Sequence, residues 1–338
     1  MLHSDYRALE GAIMAAPAIR KSVQSADNTS IDYWEYRSPG SKSGRAPKPG
    51  LLILHDGLDS SSTYKDMALA LWTSFDVFVP DRRGRGYSGT YRPNSNLQTE
   101  INDLKALLGE TGAQNILGVG SGAVIALHAT LQVAATSNCL IRKIAAFEPM
   151  TIPGDVEEFR EQRDILEQQV DGSNVTDPRA LETALNITQT GSLKQQERRG
   201  IVIRWLSKIW SNFRSGRWAE DTLQKDESRK GTTYSLGRLL GPLKGEIRSW
   251  EEINGRFETL FRLNQLDVEI FLMGGSESPN HFKNNIREFR KLLARARYTQ
   301  FGGMDHMGLS NNVDGGDPER VAIHLRKFFL GIPEEPVG

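Results

Sequence analysis

Short apolar runs alternate with amphipathic stretches through most of this chain, and that rhythm limits the fold more than any other feature. Leu51–His55, Phe75–Pro80, Asn115–Val119 and Lys143–Phe147 each read as a buried strand. Leu97–Gly109 and Ser121–Ala135 carry helical spacing between them. Later the rhythm resumes with strand Val268–Met273, helix Asn280–Ala296, strand Arg297–Phe301 and a last helix, Pro318–Leu330. Strands alternating with helices predict an α/β fold built on a mostly parallel sheet. Ahead of it, Lys21–Ala26 and Ile31–Arg37 read as a strand pair joined by Asp27-Asn28, and Ser38–Gly50 as a loop.

Between about Thr151 and Leu266 the alternation stops. Glu157–Val170, Pro178–Thr190, Lys194–Phe213 and Ile247–Leu263 all have helical patterning, with no comparable strand among them. A helical insert inside an α/β sheet has the form of a cap. The expected organisation is therefore an N-terminal helical extension (1–19), a core formed by 20–150 and 267–332, and a helical cap (151–266).

Composition removes several function classes. The 42 Lys and Arg balance 42 Asp and Glu, so the basic footprint of a nucleic-acid binder or polybasic membrane protein is missing. A single cysteine, Cys139, leaves no internal disulfide and no cysteine-rich zinc module. The residues Met1 to Ala18 lack the basic-then-apolar order of a secretory signal, and no run of 18 apolar residues occurs. A cytoplasmic protein is the default expectation, and the Asn-x-Ser/Thr triplets at Asn28, Asn174 and Asn186 then read as chance.

Two glycine motifs invite a nucleotide reading. Gly84-Arg85-Gly86-Tyr87-Ser88-Gly89 matches G-x-G-x-x-G, but loop-forming Thr90-Tyr91-Arg92-Pro93-Asn94 follows it where a helix must open. Gly118-Val119-Gly120-Ser121-Gly122-Ala123 does lie between a strand and a helix, and Glu148 ends the next strand where a ribose ligand belongs. That motif normally opens its domain, whereas here sheet strands precede it. Read one frame over, the same residues give strand, sharp turn and helix with G-x-S-x-G spacing, the nucleophile elbow. Both outer glycines, Gly118 and Gly122, are present. The central position is Gly120, so the frame is kept without its serine.

With these residues in order, nearly the whole chain resembles the α/β-hydrolase superfamily. His55-Asp56-Gly57 is similar to the family's oxyanion loop, Asp81-Arg82-Arg83-Gly84-Arg85-Gly86-Tyr87-Ser88 to its Asp-x-x-Gly-x-Gly-x-Ser loop, and Gly302-Gly303-Met304-Asp305-His306 to its histidine loop. The resemblance implies that His306 is the catalytic histidine, and that the N–H groups of Gly57 and Ser121 hold an oxyanion. Most members place the triad acid after the strand that follows the cap, but there the chain has Gly275-Ser276-Glu277-Ser278-Pro279, with Ser278 in the acid's place. A minority place it one strand earlier, which offers Glu148. Glu148 is the favoured orienting acid and Glu277 the alternative. An Asp-Gly oxyanion loop with a Glu at this strand looks like fungal lactonases that open resorcylic macrolactones, and also like bacterial hydrolases of unassigned substrate.

Gly120 leaves three readings open. The first is an ester or lactone hydrolase whose serine has been replaced, the second a cofactor-independent lyase, isomerase or cyclase using His306 as base, and the third a ligand-binding pseudoenzyme. In the first, no acyl-enzyme burst is expected from the chain as written, and Gly120→Ser restores turnover. Asp56 pointing inward would oppose a developing negative charge, and the lactonase resemblance implies an outward or hydrogen-bonded Asp56 instead. Ser121 lies past the turn tip and is a poor substitute nucleophile.

The remaining candidates are weaker. Asp56, Leu58, Trp205, Trp210 and Trp218 are pocket candidates, with the tryptophans equally suited to packing. Arg82, Arg83 and Arg85 read as structural ion-pair residues, and His128 as a satisfied core histidine. His3, His281 and His324 carry no motif, and no histidine sits at metal-ligand spacing, so neither a metal nor another cofactor is expected. The expected partner is a small neutral organic substrate, with no nucleic acid and no membrane, and a homodimer stays open.

Overall fold

The structure, a computed structural model, describes residues 18–37, 48–57, 59–92, 94–134, 141–150 and 252–333, together with 242 and 249. Two compact units divide the chain, Met1–Thr151 with Gly245–Gly338, and Ile152–Lys244. Apart from residue 242, the second unit lies outside the described residues, as do the expected helices Glu157–Val170, Pro178–Thr190 and Lys194–Phe213. Residues 252–265, placed in the cap by their helical patterning, belong instead to the first unit. Leu260 and Leu263 are buried there.

Eight strands form one sheet in the order β1-β2-β4-β3-β5-β6-β7-β8. They are β1 Ala18–Gln24, β2 Ser30–Tyr36, β3 Gly50–Leu54, β4 Asp76–Pro80, β5 Asn115–Val119, β6 Lys143–Phe147, β7 Glu269–Gly275 and β8 Arg297–Phe301. The first pair is an antiparallel hairpin and β2 also runs antiparallel to β4. From β4 to β8 every neighbour is parallel. Ala18 and Ile19, assigned from the sequence to a helical extension, pair with Tyr36 and Glu35 in β1. Their backbone groups gain ladder partners that a solvated helix end would lack.

Parallel neighbours require crossovers, and helices supply those described here. They are α1 Lys65–Leu71, α2 Leu97–Thr111, α3 Ser121–Ala134, α4 Asn280–Leu292 and, after β8, α5 Pro318–Leu330. Helix α1 packs against α5, while α2 packs against α3. All five residues of β5 are buried, as a strand covered on both faces must be. The exposed residues of β1 mark the sheet edge. A continuous apolar core joins Leu51 and Ile53 of β3, Val77 and Val79 of β4, and Leu117 and Val119 of β5 to Phe328 and Phe329 of α5. The carboxyl ends of β3, β5, β6 and β8 consequently come together along one edge, and their loops carry the candidate residues. Among the described residues, no helix is long and apolar enough to cross a membrane.

Candidate active site

The turn between β5 and α3 has the shape of a nucleophile elbow. Gly120 sits at its tip with φ 52°, in the left-handed region that glycine enters at little cost. Its N–H donates to the Phe147 carbonyl at 3.0 Å, which ties the turn to β6. Two positions on, a Cβ at Gly122 would stand 2.4 Å from the Leu54 carbonyl oxygen, so glycine is needed where α3 meets β3.

What fills the space above Gly120 is Asp56. A Cβ built on Gly120 would lie 2.2 Å from the Asp56 Cγ and 2.3 to 2.4 Å from its two oxygens. The carboxylate is firmly held: Oδ1 accepts from the Ser121 N–H at 2.7 Å and from the Ser121 hydroxyl at 2.8 Å. The Gly57 N–H faces the same carboxylate. Both donors expected to form an oxyanion hole are thus engaged by a side chain of the protein itself. Asp56 is hydrogen-bonded, as expected, but points inward, and the outward alternative does not occur. Without a Cβ on Gly120 there is room above the turn, and the carboxylate occupies it.

His306 lies between two carboxylates. Its Nε2 is 3.2 Å from Asp56 Oδ2 and its Nδ1 is 2.7 Å from Glu148 Oε2. Glu148 follows β6 with φ 45°, an unusual conformation for a residue with a Cβ. That conformation is fixed by its N–H on the Met273 carbonyl at 2.9 Å, and its Oε1 accepts from the Gly275 N–H at 2.8 Å. Glu148 is therefore fully buried with both oxygens satisfied, whereas the Asp56 and His306 side chains keep 14% and 16% exposure. Phe282 of α4 stacks on the imidazole, with ring centroids 4.1 Å apart and planes 11° from parallel.

Electrostatics follow from this arrangement. Burial alone would lower His306, but the hydrogen bonds and charges of Asp56 and Glu148 outweigh it and push the imidazole up to about 10. Burial would raise Asp56, yet His306 and the N–H groups of Ser121 and Gly57 hold it well below the usual carboxylate range. At neutral pH the His306 imidazolium faces the ionised Asp56, with Glu148 on its other nitrogen. Nearby Asp59 is pushed up to about 6 by burial and by the Asp56 charge, although the Tyr64 hydroxyl donates to it at 2.6 Å.

The loops behind the site are locked by buried arginines. Arg82 makes a two-pronged ion pair with Glu100 and also donates to the Ser121 hydroxyl at 3.0 Å, which turns the Ser121 proton toward Asp56. Arg85 donates to the Gly57 carbonyl at 2.7 and 3.2 Å, while Arg83 pairs with Asp103 and Asp27. His55 accepts the Arg82 N–H on Nε2, so its Nδ1 is the donor to the Asp56 carbonyl at 2.6 Å. Burial and the charges of Arg82 and Arg85 keep that imidazole neutral, which fixes the tautomer.

Comparison with known proteins finds the same architecture at low sequence similarity. No family model and no curated protein matches the sequence. An α/β hydrolase from Sphaerobacter thermophilus superposes with a TM-score of 0.62 at 19% identity, covering 91% of this chain and 100% of the other. A haloalkane dehalogenase from Bradyrhizobium elkani gives 0.62 at 16%, covering 94% and 99%. A thermophilic esterase from Thermogutta terrifontis gives 0.60 at 14%, covering 93% and 99%. The fold is that of the α/β hydrolases.

Within the α/β-hydrolase fold, the remaining candidates are distributed as follows. Glu277 is exposed, and its carboxylate accepts from the Ser276 hydroxyl at 3.0 Å. Ser278 is buried and its hydroxyl has no partner. His128 is buried in α3 but its Nε2 is unpartnered, so it is a core histidine that is not fully satisfied. Leu58, Trp205, Trp210 and Trp218 lie outside the described residues. Among the described residues no group of three or more His, Cys, Asp or Glu could hold a metal ion. The sequence reading missed Asp59, Tyr64 and Phe282, which have no motif around them. His281, which carries no motif, has its ring 4.2 Å from Phe282 and both nitrogens buried and unpartnered.

Proposed function

We propose that this protein is a hydrolase-type enzyme for a small to medium neutral organic substrate, worked by Asp56, His306 and Glu148 without an acyl-enzyme at residue 120. The observation that carries the proposal is the Asp56 carboxylate standing where a serine side chain would stand, 3.2 Å from the His306 Nε2. Glu148 holds the imidazole by Nδ1 and fixes its orientation, as a triad acid does. Asp56 and His306 are the members with exposure left, so a substrate meets those two groups.

Turnover on a panel of aryl esters, lactones and alkyl halides tests the reading. Activity on at least one class is expected, reduced about 10²- to 10⁴-fold by His306→Gln, the range for losing a positioned acid or base. A panel without turnover, or turnover indifferent to His306, overturns it.

Ester or lactone hydrolysis is a second reading, favoured by the Ser121 and Gly57 N–H groups both facing the Asp56 carboxylate. It requires Asp56 to leave those donors. Gly120→Ser alone then gives no burst with an aryl ester, because the new Cβ and the anchored carboxylate compete for the same space. The pair Asp56→Gly with Gly120→Ser frees both N–H groups and gives the burst.

A further inference from the structure

Hydrogen bonds at both nitrogens do not by themselves fix the His306 ring. Contacts at Nδ1 with Glu148 Oε2, 2.7 Å, and at Nε2 with Asp56 Oδ2, 3.2 Å, restrain the line through the two nitrogens. They leave the tilt of the ring about that line weakly held, so packing must hold it. The Asp56 contact is the longer of the two and lies on the side with exposure left, so a tilt loosens it first.

The remaining restraint comes from α4. The Phe282 ring covers one face of the imidazole at 4.1 Å between centroids and 11° from parallel, whereas Phe147 stands back at 6.4 Å and 30°. Phe282 is buried, and the helix sets its place. Phe282, Ile286 and Phe289 form one apolar stripe at helical spacing. Ile286 fills the space over Gly274, and Phe289 packs edge-on against Phe257 with centroids 5.0 Å apart. The Phe282 N–H donates to the Pro279 carbonyl at 3.1 Å, and the His281 ring lies 4.2 Å from the phenyl ring.

We propose that Phe282 is a positioning residue for His306: its face sets the plane of the imidazole, keeps Nε2 aimed at Asp56, and favours the protonated ring. The inference rests on the reading that Asp56, His306 and Glu148 are the working centre. An aromatic face carries negative charge density and attracts a cation laid against it, most strongly where water is excluded. A leucine in the same volume would pack without that preference. Among the described residues, the other titratable groups set against His306 come from three places. Asp56 from the loop after β3 and Glu148 from the end of β6 favour the charged ring. His281 of α4 is pushed down to about 3 by burial and by the His306 charge, so it stays neutral and adds no opposing charge. Asp59 lies within reach of the same imidazole.

The test is a titration of His306 through its carbon-bound ring protons from pH 6 to 11. In the unaltered chain those resonances lie upfield of their unfolded positions, because they sit against a phenyl face. Phe282→Leu is expected to remove the upfield shift and lower the midpoint by about 1 pH unit, and Phe282→Tyr, which keeps the face, restores both. In Phe282→Leu the Nε2 proton also exchanges faster with water, while the Nδ1 proton on Glu148 does not. An unmoved midpoint in Phe282→Leu overturns the proposal, as does an equal fall in the leucine and tyrosine variants. So do imidazole resonances without an upfield shift in the unaltered chain, a result that needs no variant to fold. Midpoints that move as expected, with no turnover on the substrate panel, would remove the functional reading and leave the ring contact standing. Turnover that depends on His306, with an unmoved midpoint, would do the reverse.

Discussion

Two loops of this molecule use the same device, and only one faces chemistry. In the loop after β4, Gly86 has φ 49°, and a Cβ there would lie 2.0 Å from an oxygen of Asp81. At the elbow, Gly120 has φ 52°, and a Cβ would lie 2.2 Å from the Asp56 Cγ. Each glycine cradles an aspartate carboxylate in the volume of its missing side chain. Asp81 is fully buried and accepts from the Ser61 N–H at 2.9 Å and the Tyr87 N–H at 3.3 Å. Burial raises its carboxyl above the usual range. Asp56 has comparable backbone donors, but His306 stands against its second oxygen and pushes it the other way. A glycine cradle orders a loop; at Asp56 the cradled carboxylate also meets an imidazole and keeps 14% of its side chain exposed.

The largest effects come from breaking that comparison at the carboxylates. Asp56→Asn keeps the shape and removes the charge, so turnover per folded molecule falls by about 10³-fold or more, and stability at neutral pH falls as well because His306 loses a group that holds its proton. Asp81→Ala affects the fold alone. It removes the acceptor of the buried Ser61 N–H and of the part-buried Tyr87 N–H, costs about 3 kcal/mol in urea unfolding, and leaves turnover per folded molecule unchanged. If both variants lost activity to the same degree at full folding, the distinction between the cradles would fail.

At the glycines the order inverts. Gly86→Ala forces a left-handed alanine against a carboxylate with no room to move, and it loses about 3 kcal/mol. Gly120→Ala carries the same backbone strain, but partly exposed Asp56 can swing aside, so the loss stays near 1.5 kcal/mol. Thermal unfolding of the two variants checks the order.

A titration sharpens the comparison further. His306 raised to about 10, against 6.5 when unfolded, contributes stability that is complete below pH 6.5 and lost as pH rises toward 10. In Asp56→Asn one of its carboxylates is gone, and the imidazole falls toward neutral pH. Imidazole resonances followed from pH 5 to 10 report the shift, and an unmoved midpoint would mean that Asp56 does not hold the proton.

Much of the scaffold was legible because strand spacing and turn glycines are local signals. Lys143–Phe147, Arg297–Phe301 and Pro318–Leu330 follow the sequence reading to the residue. Helix α1 went unread because its seven residues span barely two turns, too few for a period to emerge. The pairing of His306 with Glu148 was anticipated from the order of the motifs. The direction of Asp56 was not, since it depends on a partner 250 residues away. One clue did exist. A glycine at position 120 opens a space at the turn, and the Asp of His55-Asp56-Gly57 is a side chain of the right size to fill it.

The smallest effect belongs to Asp59, which lies within reach of the Asp56 charge and has no part in the proposed chemistry. Its folded-state pKa of about 6 stands above the unfolded value of 3.8, so between those pH values the folded protein binds more protons than the unfolded chain. Stability must fall as pH rises through that window. Asp59→Asn keeps an oxygen for the Tyr64 hydroxyl and removes the ionisation, so the slope flattens. Because Asp59 is only partly buried, solvent screening holds the gain at pH 8 to about 1 kcal/mol. Repeating the substitution in Asp56→Asn isolates the cause. With the Asp56 charge gone, the benefit of neutralising Asp59 shrinks, and urea unfolding at pH 4.5 and 8 reads the difference. An equal gain in both backgrounds would assign the shift to burial alone and detach Asp59 from the site.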